Sequence, residues 1–376
     1  MHRSGTSAIT RGLQALGVCL GENLMAPQAD FNDKGFFEDN GIVQLNEELL
    51  SALGSCWDAL PPIHASKFKG LEKFKSRAVS LLLSRLQLCG GIFAFKDPRT
   101  PQLMPFWKEV FAQIDADVRY LLPIRHPMSV AESLKKMGFS QEKSFYLWLN
   151  RVTASLLHTE GKDRLVVDYD LLMEDPAPQL KRIAESFSLP FDPDSPRVQE
   201  YTGKFLEKRL RHTCYQPETL HADPAANNDV LSVYNLLTQV AAGRQTVDLD
   251  QLQKTSRDIQ ERLLGMAPVF HYLRQLEERE LEMNEQRARQ DARLSEVIQE
   301  VESFQQWQRS WFRRTFHRWH PSGCEPTCGF LRRLQHSVTK RFKATSIPPL
   351  SGESRPEENG LKNVDASISF STIRPR

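Results

Sequence analysis

The sequence predicts an α/β domain built on a parallel sheet, followed by an α-helical, coiled-coil C-terminal extension. Three observations carry that prediction. Short apolar runs at Ile92 to Phe95, Val118 to Ile124 and Arg164 to Val167 alternate with helix-like stretches, as buried parallel strands joined by crossovers do. Residues 248–316 carry no strand signal, and Leu294, Val297, Ile298, Val301 and Phe304 recur there at three- and four-residue steps amid Glu, Gln and Arg. The chain of 376 residues, 40% hydrophobic and 26% charged, has the composition of a globular protein with some non-globular length attached.

The opening string His2-Arg3-Ser4-Gly5-Thr6-Ser7 runs straight into a helix predicted over Ala8 to Leu16. A glycine turn feeding a helix N-terminus offers backbone N–H groups and a positive dipole end to an anion, and the Arg3, Ser4, Thr6 and Ser7 side chains add directed donors. It is not a Walker A loop, because the lysine of that motif would fall at Thr6. This counts against a Mg-ATP hydrolase. The same string also suits an ordinary helix start with Ser4 or Thr6 as its cap.

Directly after the run ending at Ile124 stands Arg125, and eight residues later Ser133 falls on the next predicted helix. Eight positions are a little over two helical turns, so a guanidinium fork at a strand exit and a hydroxyl on the helix can converge on one phosphate. The plainer alternative is an Arg ion pair beside a solvated serine. Residues 216–247 read as a linker with one short helix, 248–320 as the helical and coiled-coil region, and 321–376 as a basic stretch followed by a polar tail expected to be disordered.

The two segments together resemble the sulfotransferase family, enzymes that use 3′-phosphoadenosine 5′-phosphosulfate, and particularly its bacterial and carbohydrate-directed branch. The resemblance covers residues 1 to roughly 212 and implies a P-loop-like three-layer domain at 1–215. Two further strings fit it in order, Phe95-Lys96-Asp97-Pro98-Arg99 and Val166-Val167-Asp168-Tyr169-Asp170-Leu171-Leu172 with Glu174-Asp175-Pro176, the latter read as structural. By that resemblance Arg3, Ser4, Gly5, Thr6 and Ser7 bind the 5′-phosphosulfate, and Arg125 with Ser133 binds the 3′-phosphate. Lys96 is the cation on the transferring group and Arg3 assists at the leaving phosphate. Glu38 is the first choice of base and Asp97 the second, although Glu38-Asp39 also suits a helix cap. Arg209, Arg211 and His212 would close over the nucleotide. The implied reaction moves a sulfuryl group to an acceptor hydroxyl on a carbohydrate or glycoconjugate, with no metal required. The family carries an apolar strand before the loop, whereas this sequence starts at Met1 within it. Either the true start lies upstream, or an open slot in the sheet with weak or no activity is expected. The competing readings are a nucleotide-dependent kinase on the same fold and a non-catalytic coiled-coil scaffold.

Lys+Arg 49 against Asp+Glu 47 leaves +2, too little to make the whole chain a nucleic-acid binder. Residues 301–343 are locally basic, with Arg309, Arg313, Arg314 and Arg318 among Phe304, Trp307, Trp311, Phe312, Phe316 and Trp319. Such a stretch suits peripheral membrane contact through 304–320, docking on a partner, or packing on the domain itself, and the coiled-coil pattern suits self-association. Nucleic acid is not expected as a partner. His317, His320, Cys324 and Cys328 offer zinc-type donors without a usual structural spacing, so no metal is assigned. No run approaches the roughly 20 apolar residues of a membrane span, and the first residues lack a secretory signal. With six scattered cysteines read as thiols of a reducing compartment, the expected location is cytoplasmic.

Overall fold

The computed structural model describes residues 1–28, 32, 34–206, 213, 215–244 and 248–319. The chain divides into two compact units, Met1–Glu285 and Gln286–Arg376. In the first, α1 (Thr6–Ala15), α2 (Asn40–Ala52), α3 (Glu72–Leu88) and α4 (Thr100–Gln113) precede strand β1 (Tyr120–Ile124), and α5 (Pro127–Lys135) and α6 (Gln141–His158) lead to β2 (Arg164–Asp168). After β2 come α7 (Tyr169–Glu174), α8 (Pro176–Phe187), α9 (Pro196–Glu200), α10 (Pro217–His221), α11 (Asn228–Ala241), α12 (Leu249–Gly265) and α13 (Ala267–Trp319). The described residues are thus mostly helical around a two-stranded parallel sheet.

Local chemistry sets many of these boundaries. Asp39, Ser140, Asp168, Ser195, Asn227 and Asp248 each accept N–H groups of the helix they precede, which satisfies donors that have no intrahelical partner. Proline opens α5, α8 and α10 at positions that need no N–H. The two strands pair in register from Tyr120↔Arg164 to Ile124↔Asp168, and parallel pairing requires the crossover that α5 and α6 supply. Their carboxyl ends deliver Arg125 and Tyr169 to the same edge of the sheet.

Three buried clusters surround that edge. Leu122, Ile124 and Val166 pack with α5, α6, α11 and α12; α2, α3 and α4 form a second core around Trp107; and α1 joins Val167, α7 and α8 in a third. At roughly 1.5–3 kcal/mol for each fully buried large aliphatic or aromatic side chain, these clusters hold the segments that carry the polar residues described below.

Several sequence expectations are corrected. Ile92 to Phe95 does not form a strand: Ile92 is exposed, and the segment makes one parallel bridge, Phe93 with Cys19, where Ala94 N donates to Cys19 O at 2.9 Å. An apolar run acquires strand structure only with a neighbouring ladder to extend. Residues 216–247 are not a bare linker, because Val230, Val233, Tyr234 and Leu237 of α11 lie in the first core, and Leu252, Ile259 and Leu263 of α12 join them there. The first unit therefore runs to Glu285 rather than ending near 215. Ser4 and Thr6 do not cap α1, whose N-cap is Gly5 in the left-handed conformation. Cys19 and Cys89 are joined in a disulfide rather than held as thiols, while Cys56 is free.

In the second unit the description covers α13 up to Trp319, and the predicted tail at 321–376 lies outside the described residues. Among the described residues no helix is long and apolar enough to cross a membrane.

Candidate functional site

Residues 3–7 form a turn that only glycine completes. Gly5 has φ 74°, and a Cβ there would fall 2.0 Å from the Tyr169 ring, so Tyr169 closes directly over the loop. Arg3 also has positive φ, at 65°, a conformation that costs a non-glycine residue and persists when its surroundings impose it. Thr6 opens α1 as its first residue, and Ser4 is wholly buried with its hydroxyl lacking a hydrogen-bond partner.

The loop meets the β1 exit through side chains. Arg3 Nε donates to Ser133 Oγ at 2.7 Å, which joins segments 130 residues apart. Arg125, 7% exposed, donates to Arg3 O at 3.3 Å and to the Thr213 hydroxyl at 3.4 Å, and its guanidinium sits 4.7 Å from the centroid of the Tyr169 ring. Among the described residues no carboxylate pairs with Arg125. Its Nε and the Ser129 hydroxyl on the first turn of α5 are buried without partners. Burial, and secondarily the charge of Arg125, lowers the pKa of Arg3. Two cations are thus brought close together with buried donors left over, an arrangement that an anion would complete.

The second half of the site centres on Lys96. Its Nζ lies 2.5 Å from Glu38 Oε1 and 3.3 Å from Ser7 Oγ, bridging a carboxylate and the loop. Ser7 in turn donates to Phe36 O at 3.1 Å and accepts from Asn32 Nδ2 at 3.1 Å. Glu38 is 5% exposed, and burial raises its carboxyl pKa against the opposing pull of Lys96. Burial likewise lowers the Lys96 ammonium, with Glu38 working in the other direction. The pair is therefore poised closer to neutral pH than either group would be in water.

The cap reading of Glu38-Asp39 is resolved by division of labour. Asp39 accepts from Gly41 N and Ile42 N and pairs with Arg85 Nε at 2.6 Å, whereas Glu38 faces Lys96. Asp97, the second-choice base, is fully engaged: Oδ1 accepts from Arg99 N and Arg99 Nη1, and Oδ2 accepts from Asn46 Nδ2 at 2.9 Å. Trp107 Nε1 then donates to Asn46 Oδ1. Asp97 orients Arg99, which also reaches Glu47 at 2.7 Å and approaches Glu38 Oε2 at 3.8 Å.

The structure thus gathers Arg3, Gly5, Arg125 and Ser133 on one side, and Ser7, Lys96 and Glu38 on the other, with Ser4 and Thr6 in the loop they share. Arg209, Arg211 and His212 lie outside the described residues, as do His320, Cys324 and Cys328 of the zinc-type string. Among the described residues no three metal-ligating side chains cluster. Sequence reasoning missed Tyr169, Arg99 and Asn46. The first belonged to a string read as structural, and no residue spacing reveals an aromatic ring at the start of one helix lying across the glycine that caps another. Comparisons with family models, with curated proteins and with solved structures find no match to this chain.

Proposed function

We propose that this chain transfers a sulfuryl group from 3′-phosphoadenosine 5′-phosphosulfate to an acceptor hydroxyl, on a carbohydrate or glycoconjugate, using a P-loop-like α/β domain. The observation that carries the reading is the convergence of the loop at residues 3–7 with both halves of the site: Arg3 meets Ser133 on one flank, and Lys96 joins Ser7 to Glu38 on the other. A donor bearing two anionic groups fits the buried Ser4 hydroxyl, Arg125 Nε and Ser129 hydroxyl, which have no hydrogen-bond partner and whose desolvation is otherwise uncompensated.

Bound there, the donor supplies a sulfuryl group attached to a phosphate leaving group. Arg3 and the N-terminus of α1 stabilise negative charge on the leaving phosphate, and Arg125 with Ser133 anchors the second phosphate. Lys96 turns from Glu38 toward the moving group, which its simultaneous reach to Ser7 allows, and releases the carboxylate. Glu38 then takes the acceptor proton as the new S–O bond forms and the phosphate–sulfur bond breaks, leaving 3′,5′-diphosphoadenosine. Preorganised charge, rather than covalent chemistry by the protein, does most of this work.

Calorimetric titration of 3′,5′-diphosphoadenosine into the chain tests the reading directly. Micromolar binding supports it, as about 8 kcal/mol is within reach of several charge-assisted contacts; a flat titration removes it. The expectation of a cytoplasmic setting rests on the absence of a secretory signal and of a membrane-spanning run and on sparse cysteines, and the Cys19–Cys89 disulfide, a bond typical of oxidising compartments, counts against it.

A further inference from the structure

The described part of α13 beyond Glu285 has an apolar face whose side chains are about half exposed. Leu294, Val297, Ile298 and Val301 are each 48–59% exposed. Phe304, Trp307, Trp311 and Phe312 follow at 50–58%. At about 100° per residue these side chains occupy roughly half the helix circumference. Arg309 falls at one edge of that face and Arg314 at the other, with Arg313 on the polar side.

We propose that residues 294–314 form an interfacial helix that lies on an anionic lipid surface. Two observations favour lipid over a second copy of the chain. A two-stranded seam needs apolar residues at alternating three- and four-residue steps. Leu294, Val297, Val301, Phe304 and Trp311 keep that frame, but Gln308 interrupts it between the last two, and Trp307 and Phe312 flank the seam instead of filling it. The face widens just where it becomes aromatic, which suits a surface and not a narrow partner. Charge changes at the same place. Glu296, Glu300 and Glu302 lie on the first half, whereas residues 303–314 contain Arg309, Arg313 and Arg314 and no acidic residue. Aromatic rings at the headgroup level with arginines snorkelling beside them are how a helix too polar to span a bilayer binds its surface. The 21 residues from 294 to 314 span about 30 Å, long enough for a stable contact.

Co-sedimentation of the full chain with phosphatidylcholine vesicles, with and without about 30% phosphatidylserine, tests this. Three arginines near the surface predict about a hundredfold preference for the anionic vesicles, shrinking as salt is raised. The double variant Trp307→Ser/Trp311→Ser, at exposed positions that leave the fold intact, is expected to lose about tenfold or more of that binding. Failure to sediment with anionic vesicles overturns the proposal. So does a dimer in sedimentation equilibrium that the double variant abolishes without changing vesicle binding, which would assign the face to a second copy.

Discussion

The edge of the sheet and the helix beyond Glu285 invert one another. At the sheet edge, polar and charged groups are buried: Ser4, Glu38, Asp97 and Arg125 are nearly inaccessible and locked into one another or left awaiting a partner. On the helix, apolar groups are exposed: Leu294, Trp307 and Phe312 face outward at half their area or more. Each region departs from the usual rule of apolar inside and polar outside, in opposite directions. Buried polarity costs desolvation and is kept where a site is preorganised, whereas exposed apolar area is kept where another surface will cover it. The same residue type illustrates this: Arg125 is held by an aromatic face, a carbonyl and a hydroxyl, whereas Arg309 is exposed on its helix.

The comparison is broken most forcefully at Glu38. Glu38→Gln is expected to lower turnover by about 10²–10⁴-fold with little change in donor affinity, read as release of 3′,5′-diphosphoadenosine in the presence of an acceptor glycan. The wild-type rate should rise with pH along a limb centred above the ordinary carboxylate range, since burial raises Glu38 and the base must be ionised. The variant should lack that limb; full turnover in the variant would refute the assignment. Arg125→Ala comes next, with an expected loss of about 1.5–3 kcal/mol in 3′,5′-diphosphoadenosine binding by calorimetry. The Trp307→Ser/Trp311→Ser variant should leave that affinity unchanged, which sharpens the separation of the two regions.

A separate effect is on stability. His158 is partly buried with its pKa lowered to about 4, by desolvation first and secondarily by Lys108, and the buried His126 is lowered to about 4 mainly by desolvation. Their folded values are depressed, so their contribution to stability is full above about pH 6.5 and is lost as pH falls toward 4. Urea midpoints should fall through that window, and His158→Gln should make the fall shallower. An unchanged slope would contradict the burial of a neutral imidazole.

Legibility from sequence differed between elements for identifiable reasons. β1 and β2 were readable because their apolar runs end in Arg125 and Asp168, which punctuate both strand ends. Ile92 to Phe95 looked equally apolar but lacked a ladder to join. α11 was misjudged because its apolar residues are spaced by a helical period inside a segment rich in Asn, Ala and Pro, and composition masked the period. Glu38 and Lys96 were singled out by resemblance, yet the 2.5 Å contact between them joins positions 58 residues apart that no local pattern connects.

The sequence by itself determined the side-chain caps at Asp39, Ser140 and Asp168, the glycine turn at residue 5 and the amphipathic stripe of α13, because each depends on interactions within a few residues. Tertiary structure alone decided that Tyr169 roofs the loop, that Asp97 is engaged while Glu38 faces Lys96, and that Cys19 meets Cys89. Those outcomes rest on burial and on side chains brought together by packing, and burial is a property of the assembled cores that local spacing does not encode.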